Sequence, residues 1–200
     1  MKLLFISLGC DKNLVDTEMM LGQLSQEGFT FTDDEYEAEV NTCCFIGDAK
    51  EESINTILDM ARMKEEGQCK ALIVTGCLAQ RYKEEITTEI PEVDAVLGTT
   101  SYEEIAKAVK TALGGEKMHV FESIDAPVSP ATDRLVTTGG HYAFLKIAEG
   151  CDNRCSYCII PYLRGKFRSR PMDDVLYEAR LLAASGVKEL IVVAQDTSRY

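Results

Sequence analysis

Short apolar runs alternate with amphipathic segments along almost the whole chain, and this alternation restricts the fold more than any other feature. Lys2 to Leu8 reads as a first strand, and a helix is predicted from about Asn13 to Gln26, with Leu14, Leu21 and Leu24 on one face and Gly28 past its end. In the next helix Ile54, Ile57, Leu58 and Ala61 repeat at helical spacing, and Ala71 to Thr75 is a buried strand closed by Gly76-Cys77. A short helix around Gln80 to Glu89 leads through Pro91 to a strand at Val93 to Leu97. Ser101 with Glu104 forms a capping box for a helix whose stripe is Ile105, Ala108, Val109 and Ala112, ended by Gly114-Gly115. Strand-helix alternation with short connections predicts a parallel sheet covered by helices, so residues 1–115 are read as one doubly wound α/β domain.

Residues 116–140 carry Pro127, Pro130 and Gly139-Gly140 and read as a linker with one possible strand at Met118 to Phe121. Beyond it, Tyr142 to Ile147 is a strand, Pro171 to Ala184 a helix ended by Gly186, and Leu190 to Ala194 a second strand of a new parallel unit. A strand-helix-strand unit of this size cannot cover both faces of its sheet, so the expectation for residues 141–200 is the opening of a domain that continues.

The charge is uneven. Residues 141–200 hold nine Lys and Arg against seven Asp and Glu, which leaves twelve against twenty-six for residues 1–140. A strongly acidic first domain is drawn to basic partners and repelled by phosphate backbones. The opening run that ends in Leu8-Gly9-Cys10 is too short for a secretory leader, and no stretch reaches the roughly 18 apolar residues of a membrane span, so a cytoplasmic protein is expected. In that compartment eight cysteines do not form a disulfide framework.

Cys151, Cys155 and Cys158, spaced by three and then two residues, follow a predicted strand directly. Three thiolates hold three irons of a four-iron cluster and leave the fourth open to a substrate. Zinc is the alternative, but structural zinc sites want four ligands, and neither His119 nor His141 is placed to supply the fourth. Cys10 and Cys77 fall after the first strand and the Ala71 strand, and Asn41-Thr42-Cys43-Cys44 follows what should be an intervening strand. Ligands in doubly wound sheets bind outside the carboxyl ends of strands, so three thiols there suggest a second cluster. A buried, unliganded Cys is the ordinary alternative.

The Cys151, Cys155, Cys158 spacing resembles the defining motif of the radical S-adenosylmethionine (SAM) superfamily. That resemblance implies that the open iron chelates SAM, that an electron from the cluster cleaves it to a 5'-deoxyadenosyl radical, and that Tyr157 faces its adenine end; a core aromatic is the other reading of Tyr157. Leu8-Gly9-Cys10-Asp11-Lys12-Asn13, Asn41-Thr42-Cys43, Thr75-Gly76-Cys77, Glu149-Gly150-Cys151 and the run Arg164 to Pro171 resemble, in order, the methylthiotransferase family. The fold so implied is a doubly wound domain followed by the first part of a partial TIM-type β/α barrel.

The same resemblance implies two 4Fe-4S clusters, one on Cys10, Cys43 and Cys77 carrying the sulfur to be inserted, the other on Cys151, Cys155 and Cys158. Cys44 and Cys69 are left over as structural or incidental, with Cys44 able to replace Cys43 if the register differs. One departure from the family pattern is that Tyr36 to Val40 lacks the apolar run usual before Asn-Thr-Cys, so the central strand is expected to be short. Asp11-Lys12-Asn13 and Lys166 to Arg170 resemble the branch that modifies a small-subunit ribosomal protein, adding a methylthio group to the β-carbon of an aspartate. Its implied partners are that substrate and an electron donor of flavodoxin or ferredoxin type. The branch acting on tRNA adenosine is the alternative, and an iron-sulfur electron carrier or an inactive fragment are the readings of another class. Arg164, Lys166, Arg168 and Arg170 are read either as anchors for the SAM carboxylate or substrate or as a solvated loop, and Gln195-Asp196 as a SAM contact or a polar strand cap.

Overall fold

A computed structural model describes residues 2–34, 40–43, 48–128 and 134–200, with backbone alone at 40–43 and 48–49. The first unit runs β1 (Lys2–Phe5), α1 (Asp11–Gln26), β2 (Thr30–Phe31), β3 (Val40–Cys43), α2 (Asp48–Glu65), β4 (Ala71–Thr75), α3 (Cys77–Arg81), α4 (Lys83–Glu89), β5 (Ala95–Leu97), α5 (Ile105–Leu113) and β6 (Met118–Val120). Its six strands are all parallel, in the order β2-β1-β3-β4-β5-β6. The chain therefore winds outward from β1 to β2 and then back across to β3, which makes β1/β3 the switch point at which doubly wound sheets open a crevice.

Successive strand residues point to opposite faces, and the two cores divide accordingly. Leu3, Ala71, Ile73, Ala95 and Leu97 pack with α1 and α5, whereas Leu4, Leu72, Val74 and Val96 pack with α2, α3 and α4. β4 is buried along its whole length, as a strand with helices on both faces must be. At roughly 1.5–3 kcal/mol for each fully buried aliphatic side chain, Leu24, Ile57, Leu72, Ile73 and Ile105 anchor the layers.

Several boundaries differ from the sequence expectation. The reading from Gln80 to Glu89 as one helix gives way to α3 and α4, broken at Tyr82. Leu58 is exposed, because α2 centres its buried face on Ile57, Met60 and Ala61 and leaves Leu58 at the rim. No capping box forms: Ser101 Oγ instead accepts from the Glu122 amide at 3.0 Å, and residues 102–104 make a 3-10 turn before α5. The possible strand at Met118 to Phe121, by contrast, forms as β6, which pairs with β5 and completes the sheet edge.

The second unit comprises β7 (Tyr142–Lys146), β8 (Ala148–Glu149), α6 (Ile160–Arg164), β9 (Arg168–Ser169), α7 (Met172–Ala184) and β10 (Glu189–Val193). β7 and β10 pair in parallel across the α7 crossover, over a core of Ala143, Leu145, Ile147, Val175, Leu182 and Val187. β8 and β9 pair antiparallel and close the base of the loop between them. Phe144 reaches from β7 into the core beside α1. Helix α1 thus lies between the first sheet and β7, which explains why it is buried on nearly every side from Asn13 to Leu24 rather than along one stripe. Among the described residues no helix is long and apolar enough to cross a membrane.

Candidate functional site

The segment from Cys151 to Ile159 leaves β8 and returns through α6. Its root is fixed by the backbone: the Cys151 amide donates to the Gly165 carbonyl at 3.0 Å, and the Cys158 amide to the Cys155 carbonyl at 3.0 Å. Gly150 and Gly165 hold φ near +77° and +70°. A Cβ on Gly150 would fall 2.0 Å from the Lys166 carbonyl oxygen, and one on Gly165 2.3 Å from that of Ile124. Both positions thus require glycine for conformation and for space. Arg154, between the first two cysteines, has φ +48°, an uncommon backbone for a residue with a side chain and a mark of functional loops.

Cys151, Cys155 and Cys158 line one open pocket of about 480 Å³ with Arg154, Tyr162 and Lys166. All three are unbridged thiols; Cys155 is exposed and the other two half-buried. The three thiols share the wall of this pocket, although among the described residues no three His, Cys, Asp or Glu side chains stand close enough together to hold a metal ion. Among the described residues the pocket lining holds no fourth thiol and no imidazole, and its carboxylates are Asp125 and Asp152. His141 sits at the far end of β7, its ring 4.9 Å from that of Tyr142, and His119 lies on β6. This donor set fits a cluster with one iron left open better than a closed zinc site.

Cys10 is the residue before α1, Cys43 ends β3 and Cys77 opens α3 after β4. Because β1, β3 and β4 are consecutive in the sheet, the three positions occupy adjacent carboxyl ends at the switch point. Cys77 is buried and its Sγ lies 3.8 Å from Asn13 Oδ1. The short central strand keeps its register, Cys43 standing opposite Val74. Cys44 and the Cys43 side chain lie outside the described residues. Cys69 is buried and donates to the Ala71 carbonyl at 3.1 Å, a structural role.

Between the two cysteine groups lies a cluster of charge that the sequence reading missed. Lys146 and Arg164 each bind both Asp16 and Glu149: Arg164 Nη1 is 2.8 Å from Asp16 and 3.0 Å from Glu149, Lys146 Nζ is 3.1 Å from Glu149, and Lys146 also pairs with Asp16. Burial alone would lower the Lys146 ammonium, but Asp16 and Glu149 outweigh it and hold the group above its ordinary 10.5. Burial would likewise raise the Glu149 carboxyl, but Arg164, Lys146 and the Gln195 amide hold it well below its ordinary 4.5. Lys146 was detectable in the sequence as a charge on the inward side of an apolar strand, a position that demands a partner.

These contacts correct the reading of the basic run. Arg164 is buried in the charge cluster, and Arg170 is buried against Glu178, with Asp174 2.8 Å away, so neither is available to a ligand. Arg168 donates to the carbonyls of Arg164 and Lys166, and only Lys166 faces the pocket. Tyr157 is 91% exposed, which eliminates the core-aromatic reading. Gln195 donates to Glu149 Oε1 at 2.8 Å while its own Oε1 is buried without a hydrogen-bond partner. Asp196 caps the final 3-10 turn and accepts from Asn153 at 3.3 Å, and the hydrogen bonds from Ser198 and Asn153 hold its carboxyl below the ordinary range. From the segment read as a linker, Ile124 and Asp125 enter the pocket wall, and Asp125 Oδ1 accepts from the Lys166 amide at 2.8 Å.

Comparison with known proteins matches both halves of this arrangement. Residues 2–98 match the uncharacterized protein family UPF0004, and residues 145–200 match the radical SAM superfamily. Over its full length the chain is 61% identical to the ribosomal protein uS12 methylthiotransferase RimO of Lachnoclostridium phytofermentans and covers 46% of that relative. Over its whole length the chain is thus similar to radical SAM methylthiotransferases. Relatives of the same name from Pelotomaculum thermopropionicum and Clostridioides difficile are 54% and 51% identical, again over the whole chain and 46% of each relative. The chain thus spans about half the length of the curated relatives it matches. The radical SAM match takes in the glycine-rooted cysteine loop, and the UPF0004 match takes in β1 to β5 of the six-stranded unit.

Proposed function

We propose that this chain is the N-terminal half of an enzyme that adds a methylthio group to the β-carbon of an aspartate in the small-subunit ribosomal protein uS12. The observation that carries this reading is the sharing of one open pocket by three unbridged thiols, Cys151, Cys155 and Cys158, with no fourth thiol and no imidazole among the described residues that line it. A 4Fe-4S cluster held there supplies one-electron reduction and an open iron for SAM. Cys10, Cys43 and Cys77 hold a second cluster at the β1/β3 crevice, and residues 141–200 open the radical SAM domain after a connection at 116–140 that gives β6 to the first sheet.

The chain's own residues do the positioning. Gly150 and Gly165 let the backbone close behind the thiols, and Lys166 presents a cation at the pocket mouth for a carboxylate. Tyr157, fully in solvent, offers a ring for the adenine of SAM, and the buried Oε1 of Gln195 offers an acceptor at the end of β10. The acidic first domain suits a basic ribosomal protein. A flavodoxin- or ferredoxin-type donor in the cytoplasm supplies the electrons.

Anaerobic reconstitution with iron and sulfide counting tests the reading. Two four-iron sites give about eight irons per chain, and replacing Cys151, Cys155 and Cys158 by Ala leaves about four. Colourless protein that binds zinc stoichiometrically would overturn it.

A further inference from the structure

The two cysteine groups are joined by a buried polar path whose middle members have no role in holding either one. Arg164, at the end of the cysteine loop's own helix, donates through Nη2 to Asn13 Oδ1 and through Nη1 to Glu149, two residues before Cys151. Asn13 is 3% exposed, and its Oδ1 is also the atom 3.8 Å from Cys77 Sγ. Because a guanidinium only donates, Arg164 fixes which end of the Asn13 amide is oxygen. The other end, Nδ2, is buried with no hydrogen-bond partner. Asn13 also lines a cavity of about 20 Å³ with Thr75, Gly76 and Thr99, large enough for a single water.

A buried amide nitrogen without a partner costs about 1–3 kcal/mol, so Nδ2 calls for an acceptor. As a thiol, Cys77 donates to Asn13 Oδ1. As an iron-bound thiolate it has no proton to give and takes donors instead, and Nδ2 is the unused donor of the side chain that touches it. We infer that Asn13, aligned by Arg164, is a positioning residue that donates an N–H to the metal-bound Cys77 sulfur and so sets the reduction potential of the N-terminal cluster. This rests on the assignment of Cys77 as a ligand. Its consequence is that a side chain of the radical SAM loop orients a group on the other site.

An N–H dipole aimed at a thiolate stabilises the more negative, reduced form, and its loss lowers the potential. The test uses the chain with Cys151, Cys155 and Cys158 changed to Ala, reconstituted anaerobically, with iron content and an EPR-monitored redox titration as readouts. Asn13→Ala is expected to retain four irons and to titrate at a more negative midpoint than the Asn13 parent. Asn13→Asp, of the same shape and still accepting from Arg164, is expected to shift further in the same direction; it carries the test if the alanine variant loses iron. Full iron with an unmoved midpoint in both variants overturns the inference alone. Failure of the parent to bind iron, or binding that survives Cys77→Ala, overturns the ligand assignment beneath it.

Discussion

Lys146→Met removes one corner of the buried charge cluster while keeping the length and apolar stem of the side chain. In the native protein each cation touches both carboxylates, and all four side chains are at most 10% exposed. The substitution leaves Asp16 and Glu149 to share the single guanidinium of Arg164. Breaking a buried pair by deleting one partner costs about 3–5 kcal/mol. With a urea dependence of about 2 kcal/mol per M, the unfolding midpoint should fall by about 1.5–2.5 M. Lys146→Met/Glu149→Gln removes the surplus carboxylate as well and leaves the neutral pair of Asp16 and Arg164. It should therefore lose less than the sum of the two single variants, with a coupling of about 0.5–3 kcal/mol. Equilibrium urea unfolding of the cluster-free protein, followed by circular dichroism, gives all three values. A loss below about 1 kcal/mol for Lys146→Met, the range of exposed ion pairs, would refute the claim that these charges depend on one another in a dry interior.

Gly150→Ala forces a Cβ to 2.0 Å from the Lys166 carbonyl at a φ that L residues rarely adopt, so iron bound by the second cysteine group should fall to background on reconstitution while the N-terminal group keeps its iron. The Glu149 carboxyl is held below its ordinary 4.5, so its contribution is complete above that pH and is lost as pH falls; Lys146, held above 10.5, contributes fully below that value and loses its contribution as pH rises. Urea unfolding at pH 7 and pH 3.5 should accordingly show a smaller acid loss in Glu149→Gln than in the unmodified chain. Thr99→Val deletes the hydroxyl that donates to the Leu163 carbonyl at 2.7 Å and should cost about 1–3 kcal/mol by leaving a buried acceptor unpaired. Tyr157→Ala, at a fully exposed position, should leave the urea midpoint within about 0.5 kcal/mol of the parent while weakening SAM binding measured by calorimetry.

The strand-helix alternation was legible because period-2 and period-3.6 patterns are local, and Ile105, Ala108, Val109 and Ala112 bury as that pattern requires. The boundaries slipped where a local signal met a tertiary competitor, as when Ser101 Oγ accepted from Glu122 instead of capping its own helix. The cysteine loop was legible for the same reason as the helices, since its three cysteines fall within eight residues. The basic run beside it was misread because a sequence pattern treats Arg as solvated unless a partner is visible. The partners of Arg164 and Arg170 lie on other elements, α1 and β8 for the first and α7 for the second.

By itself the sequence determined the parallel α/β class, the spacing of the cysteine triplet and the resemblance to the family, while the structure showed why Gly150 and Gly165 must root that loop. Only the tertiary structure decided the strand order β2-β1-β3-β4-β5-β6, which makes the carboxyl ends carrying Cys10, Cys43 and Cys77 neighbours. It also decided the meeting of Asp16 with Lys146 and Arg164, across 130 and 148 residues of chain. The physical reason is the range of the forces involved. Backbone propensity and hydrophobic periodicity act over one or two turns, whereas a buried charge is tolerated only where folding delivers its counter-charge, and nothing local records which distant residue that will be.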